Sequence, residues 1–470
     1  MIKQNNNSVW IYLLFPAVTM LLGWGLRGYI GGGPFGAMIP GAMLALSMAL
    51  LLKLSAETTA VLVVLSAIGI GLGGEMTYGQ TLGFLRSPET MWWGTLGITV
   101  KGAIWGLLGG IVLSLGFFYR KMSGRTLIIT FLLLLAGMLA GFKLINQPML
   151  IYFSYPAEPR PESWGALLVA AIVLWVYLKN KLEAADFKIL QRMATAGLIS
   201  GGLGFGLGGF WMVLGNQLPA DPAFYHCLKV LDWWKCMEFT FGFLLGAGFG
   251  LATWYSRREI VALEPAPAAK PAFASGKAWK EITFLFVLAF LIFWLIPNFL
   301  DPVVDQNYEQ GRFVWPNGID LAKMVSNFAF FGLLMVWAVI RFPWLAWQIG
   351  ITMTFCYTSI DLVQDFFPET TANSPFTARF ALIFGMTLIV ALLTAYFQRK
   401  KYLIRNMFLL LTAACMVVAY LRWGFFGQLG KISDLPLCEV LSNYFFVHLI
   451  FTLSALYMVW VAVRKLQPAS

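Results

Sequence analysis

Between Thr58 and Gly74 the chain passes through a whole helical span without one ionisable side chain, and stretches of this kind recur along nearly all of its 470 residues. In water each would have to be buried on every side. In a bilayer the lipid solvates it, and about 20 mostly apolar residues are enough to cross the hydrocarbon as a helix. No water reaches the backbone there, so such a segment must close its hydrogen bonds on itself. Composition agrees, with 59% apolar and 12% charged residues, about half the charge a soluble domain carries. The expected fold class is all-α: a polytopic transmembrane helical bundle with about fourteen spans.

The spans are expected near 9–27, 35–54, 58–76, 95–118, 126–146, 163–179, 190–214, 237–255, 280–299, 321–340, 344–364, 376–397, 404–424 and 441–463. A Pro/Ala stretch from Glu264 to Ala272 reads as a semi-rigid linker. It divides an eight-helix part (1–256) from a six-helix part (280–470), with 257–279 as a cytoplasmic connection.

The formal net charge is +11, which by itself suggests a nucleic-acid partner. Its distribution argues against one. With the N-terminus inside, roughly two thirds of the Lys and Arg fall on the inner ends of the spans, with only about a quarter of the Asp and Glu, the pattern that retains basic loops in the cytoplasm. Both termini are then cytoplasmic, the expected membrane is a bacterial inner membrane, and the lipid bilayer is the expected partner. Oligomeric state has no signature in the chain.

The sequence also repeats itself. Gly71-Leu72-Gly73-Gly74 recurs as Gly206-Leu207-Gly208-Gly209, Trp92-Trp93 as Trp233-Trp234, and Leu107-Leu108-Gly109 as Leu244-Leu245-Gly246. Residues 1–121 and 122–256 therefore read as parallel four-helix repeats, an arrangement frequent in transporters, whose binding sites lie at the repeat interface. A fainter third copy runs through spans nine to twelve.

Five Cys, two His and no CxxC pair leave no ordinary Cys/His metal site, and the formal GxGxxG match at Gly23–Gly28 follows a membrane span rather than a strand, so no cofactor is expected. Cys227 and Cys236 share one expected outer loop, where a disulfide between them is one option. His448 lies in an apolar run, where a hydrogen-bonded core role competes with a catalytic one.

Polar residues collect at the outer helix ends, beside Gly, Trp and Tyr. An aromatic belt explains the rings, but not the amides and acids among them. These define an expected outward vestibule, because irregular backbone at membrane depth is tolerated where it is buried or lines a wet cavity. Glu75, directly after the uncharged run, is the sharpest candidate for binding or coupling, with Arg27 as its expected partner. Gln80 and Asn216 lie in the same outer segments. Aligned on the Leu-Leu-Gly match, Lys101 stands opposite Glu238, so the two are candidates for pairing across the repeat interface. Asp361 and Asp365 share a helical face, where two close carboxylates can share a proton. Arg422 completes the set. Each also has a structural reading, as a cap, a static buried pair or a solvated helix end.

The strings Gly23–Gly28 (GWGLRG), Gly36–Ala42 (GAMIPGA) and Gly74–Gly83 (GEMTYGQTLG) resemble those of an uncharacterised family of bacterial polytopic membrane proteins. The resemblance covers mainly the first third and implies no activity. Three readings follow from the polar pattern: a secondary transporter of a small polar solute such as a sugar or sugar acid, a membrane-embedded transferase acting on lipid-linked glycan at the outer leaflet, and a non-catalytic assembly or sensory subunit. Without a P-loop there is no intrinsic ATP drive.

Overall fold

The computed structural model describes residues 8–27, 33–155, 162–218, 227–264, 277–292, 330–366, 376–425 and 435–466. All regular structure among them is helical. Nine helices are long and apolar enough to cross a membrane, and three shorter apolar ones accompany them. This is the architecture of an integral membrane protein. Helices occur in all fourteen expected segments, but by length and composition nine meet the requirement among the described residues.

The first half comprises α1 (Val9–Arg27), α2 (Gly33–Leu52), α3 (Ala56–Leu72), the short α4 (Gly79–Gly83), α5 (Met91–Phe118), α6 (Gly124–Gly141), α7 (Trp164–Lys179), α8 (Ala184–Gln217) and α9 (Trp233–Ala262). The later part holds α10 (Ala278–Phe290), α11 (Phe330–Arg341), α12 (Thr354–Phe366), α13 (Phe376–Phe397), α14 (Leu403–Phe425) and the terminal α15 (Leu437–Lys465). Helix α9 continues to Ala262, so residues 257–262 of the expected linker are helical, and Glu264 accepts the Ser55 backbone N–H at 2.9 Å.

Helices α2 and α3 are apolar around their whole circumference and buried on nearly every side, which places them at the centre of the bundle. The surface of α8 instead shows Leu198, Ile199, Leu203, Leu207, Phe210, Trp211 and Leu214. That face is suited to lipid, and the opposite face is glycine. Gly197 and Gly201 of α8 meet Gly102 and Gly106 of α5 backbone to backbone: a Cβ on Gly106 would stand 1.9 Å from the Gly197 carbonyl oxygen. A second stripe, Gly242, Gly246 and Gly250 on α9, faces α1, where added Cβ atoms would meet the carbonyls of Met20, Pro16 and Tyr12 at 2.6, 2.4 and 2.0 Å. Residues spaced by four lie on one helix face. Inside lipid, where no hydrophobic force separates helix from tail, such close approach supplies the attraction between helices. Pro16 and Pro40 sit inside α1 and α2, tolerated because tightly packed neighbours surround the freed carbonyls.

The later helices pack on the first half rather than standing apart. Phe408 of α14 meets Phe15 of α1 at 5.2 Å between ring centroids, and Phe451 of α15 meets Phe239 of α9 at 5.5 Å. The basic ends of the helices are cross-stitched. Arg120 pairs with Glu57, Lys121 with Asp186 at 2.9 Å and Glu183 at 3.0 Å, Arg192 with Glu259 at 2.9 Å, and Arg399 with Glu281 at 3.2 Å. Part of the basic excess is therefore neutralised locally by acids on neighbouring helices.

Gly106→Leu should force α5 and α8 apart and lower stability by roughly 1–3 kcal/mol, the range for overpacking. Gly385→Ala, whose Cβ would meet nothing within 4 Å, should stay within about 1 kcal/mol of the parent. Thermal unfolding of the detergent-solubilised protein separates the two.

Candidate functional site

After α3 the chain does not leave the bundle in a plain loop. It forms a 3-10 turn at Gly73–Glu75, the short α4, and a second 3-10 turn at Phe84–Arg86. Glycine permits this path. A Cβ on Gly73 would strike the Trp105 ring at 2.1 Å, and one on Gly74 the Gly33 carbonyl oxygen at 2.4 Å. Freed backbone groups at this depth need partners, and buried polar side chains provide them.

Lys101 is the first such provider. Its ammonium donates to the Thr77 carbonyl at 2.6 Å, Thr81 Oγ1 at 2.8 Å and Glu162 at 3.3 Å. Glu162 in turn accepts the Phe153 backbone N–H at 3.0 and 2.9 Å on its two oxygens. Both side chains of the ion pair are sealed from solvent, at 1% and 0% exposure. Thr81 donates onward to the Phe153 carbonyl at 2.9 Å, and Gln80 accepts the Tyr155 N–H at 3.1 Å. The expected Lys101–Glu238 pair is thus replaced: Lys101 turns to the segment before α7 and holds the broken backbone of 73–86 against it.

Glu238 belongs to a second cluster. It accepts Lys235 Nζ at 2.6 Å and the Trp234 indole N–H at 2.9 Å, and Lys235 also reaches the Gly25 carbonyl at 3.0 Å. Trp234 stacks on Tyr78 with centroids 5.8 Å apart, and Tyr78 accepts Arg27 Nη1 at 2.6 Å. Arg27 is therefore bonded to Tyr78 rather than to Glu75. Its guanidinium lies 5.2, 5.4 and 5.3 Å from the ring centres of Trp24, Tyr78 and Trp105, a cation–π cage that compensates for lost water. Burial pushes the Tyr78 phenol up to about 12 against the opposing pull of Arg27, so this ring stays neutral. Glu75 stands three residues away on the same segment.

Above this cluster opens a cavity of about 480 Å³. Its polar lining is Arg86, Asn216, Asp232 and Asn443, with Trp233, Trp234 and Tyr444 as aromatic walls. Asp232 caps α9 by accepting the Lys235 backbone N–H at 2.9 Å. Asn216 donates to the Arg86 carbonyl at 2.7 Å. The wall carrying Asn443 and Tyr444 is tied down by a disulfide from Cys438 to Cys227, with Cα atoms 5.1 Å apart, and by Ser442 donating to the Cys227 carbonyl at 2.7 Å. The alternative partner of Cys227 is excluded, since Cys236 is a free thiol. His448 lies between the carbonyls of Tyr444 at 2.8 Å and Ala419 at 3.2 Å, the setting of a structural histidine.

Of the expected site residues, Asn216 lines the cavity and Glu238 and Arg27 lie in the cluster beneath. Lys101 and Gln80 brace the broken segment beside it. Asp361, Asp365 and Arg422 lie outside the residues whose side chains are described. The sequence singles out Asn443 in the last outer turn region but not Arg86 and Asp232, whose meeting a chain distance hides. Sequence reasoning also missed Lys235, although the three-residue spacing to Glu238 on a helix signalled that pair. Among the described residues, no group of three His, Cys, Asp or Glu side chains could hold a metal ion. The chain matches no family model, curated protein or solved structure, so the resemblance of its glycine strings contributes nothing further, and the reading rests on side-chain chemistry.

Lys101→Met should strand the Glu162 carboxylate in the interior and cost about 3–5 kcal/mol. Adding Glu162→Leu should recover part of that loss, and no more, because the Phe153 N–H then loses its acceptor. A double-mutant cycle by thermal or denaturant unfolding checks it.

Proposed function

We propose that the protein is a secondary transporter of a small polar solute, seated in a bacterial inner membrane with both termini and the basic helix ends in the cytoplasm. In this reading about fourteen spans cross the bilayer, and the first eight derive from parallel four-helix repeats. The glycine stripes of α5 and α9, the closing helices of the two units, support that descent. The disulfide between Cys227 and Cys438 supports the orientation. It lies at the ends opposite the basic ones, which face the oxidising side when the basic ends are retained inside.

The observation that carries the transport reading is the coupling of the cavity to buried charge. Trp234 is part of the cavity wall and is also bonded to Glu238. A solute pressing on that indole acts on the Glu238–Lys235 pair and, through the stacked Tyr78, on Arg27. A volume of about 480 Å³ suits a small molecule. Amides and charges meet its polar groups, and indoles cover its carbon skeleton.

Purified protein in proteoliposomes should take up a solute in response to an ion gradient. Glu238→Gln should lower that uptake at least tenfold while leaving the protein folded by thermal shift, and Glu75→Gln should impair it as well. Normal gradient-driven uptake by Glu238→Gln would remove this pair from the mechanism.

A further inference from the structure

The cavity wall contains polar groups with unused bonding capacity, and their signs differ. The exposed Arg86 side chain makes no hydrogen bond or ion pair to any described residue, and only its backbone carbonyl is engaged, by Asn216. Asn443 faces the same space. These are donors. Asp232 lines the same cavity, and its side chain uses a single carboxylate oxygen to accept a backbone N–H. Arg86 and Asp232 line one cavity yet form no ion pair within 4.0 Å among the described residues. Deeper in the first half, Lys101 and Lys235 are each closed on a buried glutamate, Glu162 and Glu238, whereas Arg86 is exposed and Asp232 half-buried at the cavity.

A ligand that leaves either charge unmatched pays for its desolvation. A sugar acid would bring a second carboxylate toward Asp232. A simple amine would bring a second cation toward Arg86. A neutral polyol would cover both charges and neutralise neither. A molecule with a carboxylate at one end and an ammonium at the other satisfies both, with the carboxylate on the Arg86 guanidinium and the Asn443 amide. Its cation then meets Asp232 and the faces of Trp234 and Tyr444, as ammonium groups do on aromatic walls. We infer that the solute recognised in this cavity is a small zwitterion, of the amino-acid or betaine class, held between Arg86 and Asp232. The inference deepens the transport reading and shares its site, but the two are separable by experiment.

The test is equilibrium binding to the full-length, detergent-solubilised protein, read by isothermal titration calorimetry and tryptophan fluorescence. The panel comprises neutral amino acids, glycine betaine, the matching amines and carboxylic acids, glucose and gluconate. Zwitterions should bind saturably and at least tenfold more tightly than the single-charge analogues and the sugars. Arg86→Gln should weaken the amino acid at least tenfold while sparing its amine analogue. Asp232→Asn, which keeps the helix cap, should weaken the amino acid while sparing its carboxylic-acid analogue. These opposite selectivities distinguish lost charge recognition from general damage. Tighter binding of glucose or gluconate, no binding across the panel, or zwitterion affinity unchanged in both variants would overturn the inference. The same zwitterion is then offered to proteoliposomes. Binding without uptake overturns transport and leaves the zwitterion site standing, whereas gradient-driven uptake of a sugar alone does the reverse.

Discussion

The contact on which the rest depends is the bare backbone meeting of α5 and α8 at Gly102, Gly106, Gly197 and Gly201. With side chains at these positions the two helices would separate by the width of a methyl group or more. Everything packed around them would then loosen. Trp105 and Phe205 lie on these helices, and both contribute rings to the aromatic group around Trp24 and Tyr78. Lys101 precedes the first of the α5 glycines by one residue, so the same approach sets where its ammonium falls. Small residues here act at a distance: they position polar groups that never touch them.

Two consequences combine at the ends opposite the basic ones. The broken segment 73–86 exposes backbone groups inside the bundle, and a lysine is held there to satisfy them. Beside it a second set of charges is closed into a chain from Arg27 through Tyr78 and Trp234 to Glu238 and Lys235. Burying a closed ion pair contributes little net stability, while opening one is costly. Such a chain is therefore suited to hold a single arrangement until something competes for one of its members. Trp234 is the member that a solute in the cavity can reach.

The all-helical bundle was legible in the sequence, because lipid removes the choices that make soluble folds hard to read. Runs such as Thr58–Gly74 leave the backbone one way to bond. The location of the polar chemistry was legible too, at the Gly- and Trp-rich helix ends. The pairings were not. Lys101 was expected to meet Glu238 from an alignment on Leu-Leu-Gly, yet the equally spaced glycine stripes of α5 (102, 106 and 110) and α9 (242, 246 and 250) correspond at a different offset, which sets Lys101 opposite Phe241 instead. An alignment on Leu-Leu-Gly therefore misplaces the side chains. Glu162 was passed over because it precedes α7 in a stretch that reads as a plain connection. Cys438 lies 211 residues from Cys227, and no local spacing announces a partner that far away. The burial of Arg27 was hidden for a different reason: at the end of an apolar run, an arginine that reaches water and one enclosed by three rings look the same.

In the proposed orientation the cavity, at the ends opposite the basic ones, opens on the outer face of the membrane. The most direct test of this central claim is labelling of Asn216→Cys with a membrane-impermeant maleimide, in a background where Cys236, Cys356 and Cys415 are replaced and the Cys227–Cys438 disulfide is kept. Intact cells should label this position, and the zwitterionic solute should protect it. Labelling only after the membrane is opened would contradict the account.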